Sequence, residues 1–459
     1  MPLVEDLAGF VHNASYKQLS AEARRQIKVH IADALGCAIG AVEGPPVRKI
    51  REQIRDFGGN PLCTLIGGGG TAPDMAALYN SALVRYLDFN DSYLAKGETC
   101  HPSDNLGAIL AACEYANTSG MDLMAALAVA YQVQCRLSDE APVRAKGFDH
   151  TTQGAYAVAA GVANALKLDR ARTANAVAIA GTALNALRVT RTGALSNWKG
   201  LAYPFTCFAG TQAAFLAMRG ITGPLEVFEG NKGFQDAIAG IFNMDWSQED
   251  LERVTRTIIK RYNAEIHSQA TLEGVLELTR DHLVDPSDIE HVDVETFDVA
   301  FNIIGGGEEG SKTEVRTKEE ADHSLPYMVA VAILDRQVTP AQYNAARILR
   351  SDVQTLLRKV QVKPVQEFSD RFPEAMMCRV TITLRDGSDP LSVEKRDYEG
   401  FFTRPMGWDT VSQKFNTLAA PYADASLRAE ILKTVSNLEM VKTADLMQLL
   451  TRVKIPNGR

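Results

Sequence analysis

The patterning of the chain predicts a large, mainly α-helical domain, a smaller α+β domain and a helical tail. Three observations lead there. From Leu19 to about Ala270 the chain is alanine-rich and carries helical apolar spacing. Near Asp285 the texture changes to alternation and turn signals, and after PMGWD it becomes helical again. A length of 459 residues suits two or three domains, and a hydrophobic content of 46% supports a substantial core.

In the first stretch, Ser20 is placed to cap AEARRQIKVHIADALGCAIG, where Ile27, Ile31, Ala34 and Leu35 form a stripe. DMAALYNSALVRYL reads as the next helix and runs into the polar island YLDFNDSYLAKGETCHPSDN. LGAILAACEYA and MDLMAALAVAYQVQCRL follow, separated by NTSG, and then TTQGAYAVAAGVANALKL and RTANAVAIAGTALNAL. Their small residues allow close approach on more than one side, which suits a buried multi-helix domain. In the second stretch, Val292 and Val294 alternate and Val299, Phe301 and Ile303 continue in another register, which predicts a strand or bulged pair. HSLPYMVAVAILDR reads as a helix, and MMCRVTITLRDGSDPLSVEKR as strand, DG turn and strand. The tail holds VSQKFNTLAAPYAD, ASLRAEILKTVSNL and ADLMQLLTRV, all helical in pattern.

Composition excludes several functions. With 48 Lys plus Arg against 56 Asp plus Glu, the net charge of −8 lacks the basic field of a nucleic-acid binder. Glu5 and Asp6 stand where a leader would be positive, and no segment is apolar enough to span a bilayer, so a cytoplasmic protein without membrane partners is expected. The seven cysteines form no CxxC pair, which argues against structural zinc, a clustered iron–sulfur site or a disulfide scaffold. GGGEEGSKT fails the phosphate-loop spacing because Ser311 precedes Lys312, and Gly67 to Gly70 lacks the dinucleotide form.

The polar island gathers Asp88, Asn90, Asp91, Glu98, His101 and Asp104 between helices. It can be a capped loop, a catalytic segment, or a metal site using Asp88, Asp91 and His101, although that spacing is not diagnostic of a metal. Other polar groups interrupt apolar sequence at His150, Lys199, Lys260 with Arg261 and His267, and Tyr327. Singly, each has a structural reading as a cap, a solvated cation or a core aromatic. Together they are equipment for holding a multiply anionic acid and moving one proton, which permits lyase or isomerase chemistry.

YLDFNDSYLAKGETCHPSDN, KGFDHTTQGAY, SNWKG, KRYNAEIHSQ and HSLPY, in that order over residues 86–327, closely resemble the 2-methylcitrate dehydratase, or MmgE/PrpD, family. The resemblance implies a mainly α-helical large domain built from both chain ends with a smaller inserted α+β domain, divided as 1–268, 269–400 and 401–459. It implies a homodimer, a pocket at the domain junction, no metal and no cofactor. It implies β-elimination of water from 2-methylcitrate, a tricarboxylate, in propionate metabolism. Asp88, His101, His150 and Tyr327 would be catalytic, and Ser92, Lys199, Lys260 and Arg261 would bind substrate. Either histidine could be the base. The related cis-aconitate decarboxylases share the constellation, usually with threonine at Ser92 and a shorter Asp-to-His connection. Alternatives, in order, are dehydration of citrate or a related tricarboxylate, cis-aconitate decarboxylation, and a noncatalytic acid-binding homodimer.

Overall fold

The computed structural model describes residues 2–193 and 195–456. The chain divides into a helical unit, Met1–Arg191, Asn197–Ile258 and Met406–Arg459, and an α+β unit, Thr192–Ser196 and Ile259–Pro405. The fold is therefore mainly helical with a smaller α+β unit.

In the helical unit, α1 (Ala21–Gly40) starts where expected, with Ser20 Oγ accepting the Ala23 amide at 3.0 Å. α2 (Pro73–Tyr86) starts on proline, whose missing N–H costs nothing at a helix start. The polar island leads from it to α3 (Leu106–Tyr115), followed by α4 (Gly120–Glu140), α5 (Thr151–Ala165), α6 (Arg170–Ala183) and α7 (Trp198–Met218). α5 is buried along its whole length and packs against α3, α4, α6 and α7. Its small residues make this possible. A Cβ on Gly161 would lie 2.6 Å from the Ile109 Cδ1, and one on Gly154 only 2.5 Å from the Tyr203 ring. Overfilling such a core typically costs about 1–3 kcal/mol. The tail helix Trp408–Ala419 packs on α1.

The island itself contains a hairpin, β1 (Tyr93–Ala95) and β2 (Glu98–Cys100), paired Tyr93 to Cys100 and Ala95 to Glu98. Three-residue strands are too short to announce themselves by alternation. Ser92 exchanges 2.8 Å backbone hydrogen bonds with Ile258, which fixes the hairpin's start.

In the α+β unit, α8 (Gln269–Asp281) precedes β3 (Ile289–Thr296), α9 (Leu325–Asp335), β4 (Val360–Pro364), β5 (Cys378–Leu384) and β6 (Leu391–Lys395). The sheet order is β4-β3-β5-β6, with β3 and β4 parallel and the other pairs antiparallel. Val292, Val294, Val380 and Ile382 meet Leu272, Val275, Met328 and Ala332 in one core. The Val299–Phe301–Ile303 alternation is not a strand. Residues 298–305 coil helically, and the buried set is Ala300, Ile303 and Ile304, a helical spacing. All seven cysteines are buried thiols. Among the described residues no helix is long and apolar enough to cross a membrane.

Candidate active site

His101 follows β2 directly and is buried, 8% exposed as a residue. Its Nδ1 lies 2.8 Å from the Asp91 carbonyl and 3.0 Å from Ser92 Oγ. A carbonyl only accepts, so Nδ1 carries the hydrogen and Nε2 holds the basic lone pair of the neutral ring. The Asp91 peptide is held by its own carboxylate. One oxygen accepts from Ser103 Oγ at 2.6 Å and the Ser103 amide at 3.0 Å. The other lies 2.5 Å from the Tyr131 hydroxyl and 2.9 Å from His30 Nδ1. Burial pushes the Asp91 carboxyl up, but His30 and these hydrogen bonds outweigh it and hold the group below its ordinary range. With both oxygens so engaged, Asp91 is an anchor for His101 and a poor match for the metal-ligand reading.

His150 immediately precedes α5, without a capping side-chain hydrogen bond, and is buried. Its Nδ1 lies 3.0 Å from Asp149 Oδ1, which fixes the same tautomer, and Nε2 is buried without a hydrogen-bond partner among the described residues. The Arg191 Nε reaches Asp149 Oδ2 at 2.7 Å, and Arg191 also donates to the Lys199 carbonyl at 3.2 Å. Burial lowers the His150 pKa first. Asp149 opposes this, Arg191 and Arg85 add to it, and the ring ends at about 4. His150 is therefore neutral at pH 7. It touches His101 edge to face, ring centroids 5.5 Å apart, and stacks on Tyr203 at 5.9 Å. Tyr203 is held by Asn105 at 3.1 Å and Gln134 at 2.9 Å, and Gly154 leaves room for its ring.

Asp88 follows α2 with φ 53°, a left-handed conformation that Asp tolerates better than most residues. This turns its carboxylate between two cations. Arg85 Nη1 lies 2.5 Å from Oδ1, and the Lys199 Nζ, from the first turn of α7, 3.1 Å from Oδ2. All three side chains are buried. The structure thus brings together Ser92, His101 and His150, and separately pairs Asp88 with Lys199. Glu98, at the hairpin, receives the amides of Arg144 at 3.1 Å and Val143 at 3.4 Å, tying the hairpin to the loop before His150.

Lys260, Arg261 and Tyr327 belong to the α+β unit. Lys260 is buried, whereas Arg261 is half-exposed with its Nε 3.4 Å from Glu399. Tyr327 lies in α9, fully buried, and its hydroxyl donates to the Gln342 carbonyl. His267 is buried, with Nδ1 2.8 Å from Glu265 Oε1 and Nε2 without a hydrogen-bond partner among the described residues. Sequence reasoning treated His267 only as part of a cation patch, and it missed Asp149, Arg191, Arg85 and the Asp91 anchor. The DH pair in KGFDHTTQG was the available signal for Asp149.

Two oriented histidines beside buried cation–carboxylate pairs suit acid–base chemistry on an anion. Relatives agree with enzyme function. The chain is 24% identical to a cis-aconitate decarboxylase of Mus musculus, spanning 98% of this chain and 93% of that protein. It is 27% identical to a 2-methylcitrate dehydratase of Salmonella typhi and 26% identical to one of Escherichia coli strain K12, each over 84% of this chain and 83% of the relative. The MmgE/PrpD N-terminal domain matches residues 5–247 and the C-terminal domain residues 262–440, and the chain belongs to the MmgE/PrpD family.

Proposed function

We propose that this enzyme is a hydro-lyase that removes water from 2-methylcitrate to give 2-methyl-cis-aconitate. The observation that carries the reading is the edge contact of His101 and His150, both with hydrogen-bearing Nδ1 and basic Nε2. Elimination needs a neutral base for the C–H beside a carboxylate and a protonated group for the departing tertiary hydroxyl. His150, neutral at pH 7, takes the base role. It keeps the proton from the methyl-bearing carbon, and the C–H electron pair becomes the new C=C bond as the C–O bond breaks. His101 in its protonated form keeps its Nδ1 bond to Asp91 and gives its Nε2 proton to the departing hydroxyl, which leaves as water. Lys199, Lys260 and Arg261 supply charge for the carboxylates, and Asp88 holds Lys199. Ser92 steadies His101, and two copies of the chain form the working homodimer.

Two neighbouring readings remain distinguishable. A hydrophobic pocket separates citrate from methylcitrate by only about 1–3 kcal/mol for one methyl. Decarboxylation of cis-aconitate is supported by the mouse relative's coverage of 98% of this chain. The test is a chelator-treated assay of purified protein against a panel of hydroxy tricarboxylates and cis-aconitate, with products read by NMR. The expected product from 2-methylcitrate is a conjugated alkene with every carbon retained. Carbon dioxide release from cis-aconitate, without turnover of the hydroxy acids, overturns the dehydratase reading.

A further inference from the structure

Asp104, in the short turn between β2 and α3, has no place in the mechanism above, yet it is fully buried in the same cluster. Its Oδ1 accepts from Asn90 at 2.8 Å, whereas Oδ2 has no hydrogen-bond partner among the described residues. The Arg85 Nε lies 3.5 Å from Oδ2. Arg85 also holds Asp88, and Asp88 holds Lys199. Lys199, Asp88, Arg85 and Asp104 are thus a buried row of alternating charge.

We propose that Asp104 is a positioning residue that acts through Arg85 and Asp88 on Lys199, so that the site holds a polyanionic tricarboxylate tightly while Asp104 is protonated and loosens its hold when Asp104 ionises. The inference rests on the substrate reading above. With Asp104 neutral the row carries one net positive charge, and with Asp104 ionised its charges cancel. A bound polyanion favours the first state, and by linkage its arrival draws a proton onto Asp104. The groups facing Asp104 set where this happens. Burial raises its carboxyl first, with Asp91 adding to the rise. Arg85 from α2, Asn90 and Arg191 oppose it, and the carboxyl is left at about 7. From α7, the Cys207 thiol donates to the Asp104 carbonyl at 3.4 Å, and Tyr203 faces it as a phenol that burial keeps neutral.

The experiment compares wild type with Asp104→Asn, which keeps the acceptor for Asn90 and removes the titration. For wild type, KM for 2-methylcitrate is expected to rise about threefold to tenfold between pH 6 and 8, the range of one Coulombic contact at intermediate dielectric. For D104N it stays at the wild-type low-pH value. Histidine titrations move both profiles alike, so the difference isolates Asp104. Superimposable profiles overturn the proposal. A second measurement needs no variant. At pH 7.5, infrared spectra of wild type are recorded with tricarballylate labelled with 13C at its carboxyls, whose own bands are displaced. Binding is expected to strengthen the C=O band of a neutral protein carboxyl. Binding without that gain overturns the coupling alone, and absence of binding at pH 6 and 7.5 overturns the substrate reading and this inference with it.

Discussion

His150 in the helical unit and His267 in the α+β unit both present Nδ1 to a buried carboxylate, Asp149 at 3.0 Å and Glu265 at 2.8 Å. The carboxylates differ in their second oxygen. That of Asp149 is taken by Arg191 at 2.7 Å, whereas Glu265 Oε2 accepts the backbone amide of His267 itself at 2.7 Å. Burial lowers the His150 pKa most, and Arg191 partly offsets the Asp149 charge that would favour an imidazolium, so Asp149 orients His150 while the ring stays neutral. Among the described residues, the ion-pair partner of Glu265 is His267, with no arginine across it. Burial alone would raise its carboxyl, and His267, with His323 and Lys260 further away, brings it down to about 2. One motif thus sits in two electrostatic settings, with one carboxylate shared between its histidine and an arginine and the other held by its histidine's ring and backbone amide.

The sharpest way to break this contrast is Asp149→Asn. The amide can turn its NH₂ towards Nδ1 and select the wrong tautomer, so kcat is expected to fall by about 10²–10⁴. Arg191 also loses its carboxylate, and removing one partner of a buried pair costs about 3–5 kcal/mol. Steady-state rates and urea unfolding of the same preparation check both. A kcat within a few-fold of wild type would remove His150 from the chemistry. The corresponding change in the other unit, Glu265→Gln, weakens a buried pair that the proposed mechanism does not use, so it is expected to cost about 1.5–3 kcal/mol in urea unfolding with kcat nearly kept. A fall in kcat with unchanged KM would make the two pairs equivalent and erase the distinction.

A smaller effect sits in the pH dependence of stability. His150 has its folded pKa lowered from 6.5 to about 4, so between those values the unfolded chain binds more protons and stability falls as pH falls. Asp104 has its folded pKa raised from 3.8 to about 7, so its stabilisation is complete below 3.8 and is lost as pH rises to 7. Between pH 4 and 6.5 the two slopes oppose each other. Asp104→Asn removes one of them. Its unfolding free energy should then drop more steeply on acidification, by up to about 1.4 kcal/mol per pH unit relative to wild type. Urea midpoints from pH 4.5 to 6.5 measure the difference, and parallel curves would deny the opposition.

Local physics wrote much of this fold into the chain. Ser20 and Ser324 cap the helices they precede, and the small residues of α5 announce burial on every side. The DG turn between β5 and β6 is equally local, with Gly387 at φ 76°. The misreading at Val299 arose because spacing of two fits a strand locally, while packing of Ala300, Ile303 and Ile304 selected the helical turn. At the site, the histidines stood out by type, but their partners did not. Arg191 is separated from Asp149 by 42 residues in sequence and Tyr131 from Asp91 by 40, and only tertiary packing pairs them. Asp104 did not stand out within the polar island because nothing local reveals that its neighbour in space is Arg85.

The smallest expected effect separates two readings of HSLPY. Family resemblance gives Tyr327 a catalytic hydroxyl, whereas its surroundings are those of a core residue: Ser324 caps its amide at 3.1 Å, Tyr343 lies 6.0 Å from its ring, and its hydroxyl donates to Gln342. A phenol donates one hydrogen, and burial raises its pKa further from ionisation. Tyr327→Phe should therefore leave the Gln342 carbonyl unpaired and cost about 1–3 kcal/mol in stability, with kcat within about twofold of wild type. A hydroxyl serving substrate would produce the opposite signature, since a transition-state hydrogen bond lost from a site costs about tenfold or more in kcat. Unfolding and kinetics on one variant decide it. A stable but slow Y327F would show that the hydroxyl leaves Gln342 during turnover and would give Tyr327 a part in the chemistry.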